Sequence, residues 1–283
     1  MKVVRKPVKL KALMDGLRRR GKTVGFVPTM GYLHKGHLAL VRQARKEANV
    51  VVVSIFVNPL QFGPKEDFAR YPRDFRRDAG LLRREGVDFL FAPSAKDLYS
   101  HDFQTRISVK RLARPLCGAT RPTHFAGVCT VVYKLLAAVG PCVLVLGQKD
   151  YQQVRVLRQM IKDLDLPVKV RMAPIVRERD GLAMSSRNVF LSQTERQEAP
   201  LLCQALQLAA RLARAGRRDA GEIKKAVRGV LKNARHARLD YLEIVDAGTL
   251  APVVKLKKGA KALVALAVFF NKVRLIDNIL IKG

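Results

Sequence analysis

Through the first 176 positions, short β-branched runs alternate with helical stretches, and few folds accept that alternation. VVVSIFVN (51–58) and CVLVLG (142–147) are continuous apolar runs, the pattern of strands covered on both faces. TVGFVPT, closed by Pro28, GVDFLFAP (86–93) and VKVRMAPIV (168–176) read as further strands. Between them lie helical segments. Leu10, Leu13, Met14 and Leu17 fall at i, i+3, i+4 and i+7 on a first helix that Gly21 ends as a C-cap. Others run from His37 to Ala48, through DFRRDAGLLRREG, over 130–140 and through YQQVRVLRQMIKDL. The pattern predicts an α/β fold with a doubly wound parallel sheet over residues 1–175, whose ligands sit beyond the carboxyl ends of the strands.

The character changes after about residue 176. Ser192 with Glu195 three positions on is a capping-box signature before a long Leu/Ala helix. DYLEIVD (240–246) and KALVALAVFF (261–270) read as two strands that pair with each other. Residues 176–283 are therefore expected to form a smaller α+β domain, which also carries the MSSR segment.

Charge is the feature of composition that bears on partners. Lys and Arg number 54 against 23 Asp and Glu, a net charge of +31 over 283 residues. Such a field favours anionic partners. The basic residues are nevertheless scattered in pairs and triplets, as at Arg18–Arg20, Arg83-Arg84 and Lys224-Lys225. With no Trp and only 6% aromatics, a base-stacking platform is poorly supplied, so nucleic acid is not the expected partner. No apolar run approaches the ~20 residues of a membrane helix, and the N-terminus lacks an apolar signal core. The four cysteines form no C-x-x-C pair. A cytoplasmic protein is expected.

Five segments carry possible chemistry. Gly16 to Thr23 matches the G-x-x-x-x-G-K-[ST] expression for a phosphate loop, but a helix precedes it and a strand follows, the reverse of what that mechanism needs. PTMGYLHKGH (28–37) stands where a strand gives way to a helix, the place where backbone N–H groups bind anions. His34 and His37 there can donate to phosphates; as metal ligands they lack companions. GQKDYQQ (147–153) follows another buried strand, with Lys149 able to reach a phosphate and Gln153 suited to a hydroxyl-bearing acid. In GLAMSSRN (181–188), Ser185, Ser186 and Arg187 suit a phosphate clamp. In FVNPLQFG (56–63), Asn58 and Gln61 bring neutral hydrogen-bonding groups to the same sheet edge. Taken singly, each of these four also reads as an ordinary polar turn. Asp74 and Asp78 read either as solvated acids or as help for a metal–nucleotide complex, and His124 reads more readily as a core or surface histidine than as a neighbour of the site.

Together PTMGYLHKGH, FVNPLQFG, YPRD, RPTHFAGV, GQKDYQQ, GLAMSSRN and RLIDN closely resemble the pantoate–β-alanine ligases of the nucleotidyltransferase superfamily, in order and spacing along nearly the whole chain. The resemblance implies ATP-dependent condensation of pantoate with β-alanine through pantoyl adenylate, releasing pyrophosphate and then AMP. It implies an ATP site from Met30, Gly31, Tyr32, Leu33, His34, Lys35, Gly36 and His37, completed by Gly147, Gln148, Lys149, Asp150, Met184, Ser185, Ser186 and Arg187. Val176 would meet adenine through its backbone. His34, His37, Lys149, Ser185, Ser186 and Arg187 would carry the catalysis, and Gln61, Gln153 and Asn58 would hold the acid. It also implies Mg²⁺ with ATP, Asp78 near that metal, and a homodimer. Two departures from the family pattern stand out: Gln148 stands where Glu is usual, and Arg76-Arg77 crowd a region that is often more acidic. The alternatives are a related ligase for another small hydroxy acid and a basic nucleic-acid-binding protein on the same fold.

Overall fold

Strand order decides where a ligand can enter an open α/β sheet. In a computed structural model, which describes residues 1–64 and 66–283, six strands form one sheet. They are β1 (Lys2–Val4), β2 (Val24–Thr29), β3 (Val50–Ile55), β4 (Phe89–Phe91), β5 (Cys142–Gly147) and β6 (Val168–Ala173). Their order is β1-β4-β3-β2-β5-β6, and every pairing is parallel. The chain builds outward from β2 on one side and returns on its other side with β5. The topological switch point, where such sheets bind ligands, therefore lies at the carboxyl ends of β2 and β5. The expected continuous burial is met in β3, where Val50, Val51, Val52, Val53 and Ser54 are all buried, while in β5 Val143 is half-buried.

The helices that accompany this sheet are α1 (Pro7–Arg19), α2 (Lys35–Glu47), α3 (Phe75–Arg84), α4 (Ala95–Leu98), α6 (His124–Val139) and α7 (Tyr151–Asp163); a one-turn helix, α5 (Cys117–Thr120), precedes α6. Gly21 closes α1 as expected, with φ +72° and its N–H on the Arg18 carbonyl. Gly16 lies inside α1 and Thr23 immediately before β2, so the apparent phosphate loop is a helix end leading into a strand. Side chains from β2, β3 and β5 pack with Leu33, Val41, Ala44, Ala79 and Leu82 in one core cluster. α2 lies close on β2 because Gly25 has no Cβ, which would stand 3.0 Å from the Ala44 carbonyl.

The described residues group into two compact units. The first is Met1–Ala113, Arg121–Gln148 and Gln153–Pro174; the second is Arg114–Thr120, Lys149–Gln152 and Ile175–Gly283. In the second, α8 (Gln193–Glu198), α9 (Leu201–Arg214) and α10 (Ala220–Leu231) accompany an antiparallel sheet β7-β8-β9. Its strands are β7 (Ala237–Asp246), β8 (Lys261–Phe270) and β9 (Val273–Lys282). Alanines at 205, 209, 210 and 213 let α9 join Leu242, Ile244, Val264, Leu266 and Phe270 in a second core.

Several elements differ from what the sequence pattern predicts. β1, three residues long, is too short to show a pattern. The long helix after Ser192 is two helices, because Pro200 has no N–H to continue the first. α10 and β9 were not anticipated; β9 mixes Arg274, Asp277 and Asn278 into its run and so lacks a clean alternation. α6 begins at His124, six residues before the expected start. No described helix is long and apolar enough to cross a membrane.

The close approach of α6 to the Leu60 backbone depends on Gly127. A Cβ at this position would run into the Leu60 carbonyl, a backbone group that cannot swing aside. Gly127→Ala is expected to lower stability by about 2 kcal/mol through overpacking. The midpoint of urea unfolding measures it, and an unchanged midpoint contradicts the packing argument.

Candidate active site

β2 ends at Thr29, and the chain must reverse before α2 can start. Gly31 and Tyr32 both adopt positive φ, +86° and +50°. Gly31 is at home there, whereas Tyr32 must be held. The Thr29 hydroxyl donates to the Ser54 carbonyl and accepts the Gly31 N–H at 3.2 Å. Asp78, 1% exposed at the start of α3, accepts the Tyr32 N–H at 2.7 Å and the Leu33 N–H at 2.8 Å. Arg77 donates to the Leu33 carbonyl at 2.9 Å and lies over the Tyr32 ring. Burial pushes the Asp78 carboxyl up; the two backbone N–H groups and Arg77 pull it the other way.

That turn delivers the two histidines. His34 is the N-cap of α2: its Nδ1 accepts the Gly36 N–H at 3.1 Å, and His37 Nδ1 accepts the His34 N–H at 3.3 Å. A backbone N–H can only donate, so both Nδ1 atoms are acceptors and each neutral ring carries its proton on Nε2. The rings stand 4.0 Å apart, centroid to centroid. Two Nε2–H donors and a helix N-terminus thus gather at the carboxyl end of β2, an arrangement suited to an anion. Lys35 is exposed beside them.

After β3 the chain turns through Asn58 to Gln61. Asn58 was expected to face the acid substrate, but it is 1% exposed and its amide is used internally. Its Nδ2 donates to Gln61 Oε1 and to the Gly127 carbonyl; its Oδ1 accepts from the Leu60 N–H and the Tyr99 hydroxyl. Four hydrogen bonds fill that amide's donors and acceptors. The Gln61 carbonyl is held in turn by Arg121 and by His124 Nδ1 at 2.9 Å, and Arg121 is paired with Glu66. The Gln61 side chain also points its Nε2 at Met30 Sδ, 3.1 Å away, which ties it to the turn after β2. Gln153 is partly exposed in the first turn of α7.

Gly147 and Gln148 close β5 in the first unit. In the second unit, Lys149 pairs with Asp150 at 3.4 Å. Here too a short hairpin leads to the serine pair. Arg177 bridges Ala183, Met184 donates its N–H to the Val176 carbonyl, and Gly181 turns the chain at φ +94°. Arg196 grips Glu178 and Asp180 on that hairpin. Ser185 caps the turn that follows by accepting the Arg187 N–H at 3.2 Å, and Ser186 is buried.

The whole-chain comparisons agree with one another. The family model for pantoate–β-alanine ligase matches residues 2–280. The chain belongs to the pantoate–β-alanine ligase family. It is 49% identical to a pantothenate synthetase of Caldicellulosiruptor bescii, covering all of both chains. A Thermotoga neapolitana pantothenate synthetase is 52% identical over 98% of this chain and 99% of that one. The crystal structure of pantothenate synthetase from Thermus thermophilus superposes with a TM-score of 0.93 at 48% identity over the full length of both. A Francisella tularensis pantoate-beta-alanine ligase, solved with beta-gamma ATP and beta-alanine, gives 0.81 at 36% identity, covering 99% of this chain and 97% of that one.

Within this ligase fold, Asp78 does not fit the metal role expected of it. Both oxygens hold main-chain N–H groups, and the Arg77 guanidinium stands 3.5 Å away. Among the described residues, no group of three His, Cys, Asp or Glu could hold a metal ion. The sequence gives no sign of the bracing roles of Arg77, Tyr99, Arg121, His124 and Gly127, which act on other residues of the turns. RPTHFAGV contains three of these residues but does not show their partners.

Capping and outward donation use different nitrogens of the His37 ring. Asn at position 37 keeps an acceptor where Nδ1 stood but loses the Nε2 donor; Gln does the reverse. His37→Asn is expected to melt near the wild type while kcat falls about 10²- to 10³-fold, as for loss of one charge-stabilising donor. His37→Gln should keep more activity and melt lower. Equal activity in the two variants would refute the assignment.

Proposed function

We propose that this ligase condenses pantoate with β-alanine in two steps at the expense of ATP. In the first, a pantoate carboxylate oxygen attacks the α-phosphorus and pyrophosphate leaves. In the second, the β-alanine amine attacks the acyl carbon of pantoyl adenylate and AMP leaves. A carboxylate is a poor acyl donor, and the mixed anhydride supplies the leaving group it lacks. No covalent nucleophile is required of the protein. Its tasks are to align two anions, to stabilise charge on the phosphates and to keep water from the adenylate.

The observation that carries this reading is the pair of capped histidines at the sheet's switch point in a chain that matches the ligase family from end to end. In it, Met30 to His37 receive the phosphates, with His34 and His37 donating from Nε2. Gly147 and Gln148 border the nucleotide from β5. Lys149, Asp150, Met184, Ser185, Ser186 and Arg187 serve the same ATP, Lys149 and Arg187 as cations facing the α-phosphate. Val176, whose carbonyl accepts the Met184 N–H, meets adenine through its backbone. Gln61 and Gln153 bind the pantoate hydroxyls and carboxylate without a charge that would trap the acid, while Asn58 acts by orienting Gln61. Mg²⁺ accompanies ATP. The family resemblance further supports a homodimer working in the cytoplasm.

The test is mass spectrometry of a reaction holding Mg-ATP, pantoate and β-alanine, with each omitted in turn. Pantothenate and AMP are expected only in the complete mixture, and pyrophosphate also without β-alanine. Products with pantoate left out would overturn the reading. Gln61→Ala is expected to raise KM for pantoate about tenfold or more, the loss of a buried polar contact, with KM for ATP nearly unchanged. If KM for ATP rose instead, the acid site would have to lie elsewhere.

A further inference from the structure

The last strand of the chain carries two polar residues in an otherwise apolar setting. Asp277 and Asn278 on β9 are 3% and 4% exposed. Buried polar groups of this kind are kept only with partners, and two of these partners, Lys149 and Arg177, lead to the segments assigned to ATP in the second unit. Asn278 Nδ2 donates to the Lys149 main-chain carbonyl at 2.9 Å, across 129 positions of sequence. Asp277 accepts two bonds from Arg177, at 2.6 and 3.0 Å, and the Asn278 N–H at 2.7 Å. Arg177 also donates to the Gly181 carbonyl at 3.0 Å and so grips the turn of the hairpin that ends in Met184 and the serine pair. Burial pushes the Asp277 carboxyl up; Arg177, the Asn278 amide and the Lys149 charge pull it down.

We infer that Asp277 and Asn278 are positioning residues for adenylate formation: two adjacent residues of β9 set the place of Lys149 and of the hairpin bearing Met184–Arg187 relative to each other. This rests on the assignment of Lys149 and Met184–Arg187 to ATP. The physical basis is rigidity. A lysine on a one-turn segment and a serine-rich hairpin each have freedom of their own, whereas a shared interaction with one strand gives both the same reference frame. Neighbours on a strand face opposite ways, so one strand can address two segments at once. Asn278 reaches Lys149, and Asp277 reaches the hairpin through Arg177. Neither residue is placed on a reacting atom.

Asn278→Ala and the volume-conserving Asn278→Leu both remove the donor to Lys149. Pantoate-dependent exchange of pyrophosphate into ATP reports adenylation alone. Conversion of supplied pantoyl adenylate to pantothenate reports the second step. Exchange is expected to fall about 10- to 100-fold, the scale of a small misplacement, while the second step changes less than about threefold. A purely structural loss would lower both together in proportion to the folded fraction. In a cycle with Lys149→Ala, the double variant should be no slower than Lys149→Ala alone, since the two act as one unit. Exchange within twofold of wild type in both folded variants, or fully additive losses, would overturn the inference. Wild-type protein run alongside separates the two readings: if it shows no pantoate-dependent exchange, the ATP assignment itself falls.

Discussion

The Asp78 carboxylate accepts the N–H groups of Tyr32 and Leu33, and the turn that presents both histidines depends on those two bonds. A chain leaving a parallel strand has backbone donors with no ladder to join, and a buried one left unmet costs about 1–3 kcal/mol. Here a side chain from another helix meets them. It also holds Tyr32 in a left-handed conformation that an isolated peptide would rarely adopt. With the turn fixed, α2 begins where His34 can cap it.

The same device recurs at the other loops. Asn58 uses its amide to shape the turn after β3 and to aim Gln61. Asp277 and Asn278 do it for the hairpin and for Lys149 in the second unit. In each case a buried polar residue holds a loop from beneath, and the group suited to a ligand is its neighbour. The supports Asn58, Asp78, Asp277 and Asn278 are deeply buried, whereas His34, His37, Gln61, Lys149 and Arg187 are partly exposed. The capped imidazoles add an electrostatic consequence. Because each Nδ1 is an acceptor, the rings offer neutral donors, which can follow charge as it builds on a phosphate without holding a resting anion too tightly.

The basic excess fits this chemistry without defining it. Glu66, Asp240 and Asp277 are taken up by Arg121, Arg274 and Arg177. Other cations, such as Arg83, Arg84, Lys225 and Arg228, remain on exposed helix faces. ATP and pantoate are anions, and a positive field raises their encounter rate. The departure at Arg77 is absorbed locally, since its guanidinium braces Leu33 and Tyr32.

The local pattern by itself determined the parallel sheet, the rejection of Gly16–Thr23 as a phosphate loop and the segments that carry the chemistry. Those follow from periodicity and from what stands next to each motif in the chain, which are local properties. Tertiary structure alone decided which polar residues serve the backbone. Asn58 and Asp78 look like substrate and metal ligands in one dimension, yet their partners lie at Gly127, Tyr99, Tyr32 and Leu33. Hydrogen-bond partners so far apart leave no periodic trace in the sequence. The same holds for Asn278 and Lys149, and for Gly127, whose need for a bare α-carbon comes from a carbonyl of a different loop. Side-chain type tells what a residue can bond to; only the packed fold tells which of those bonds are already made.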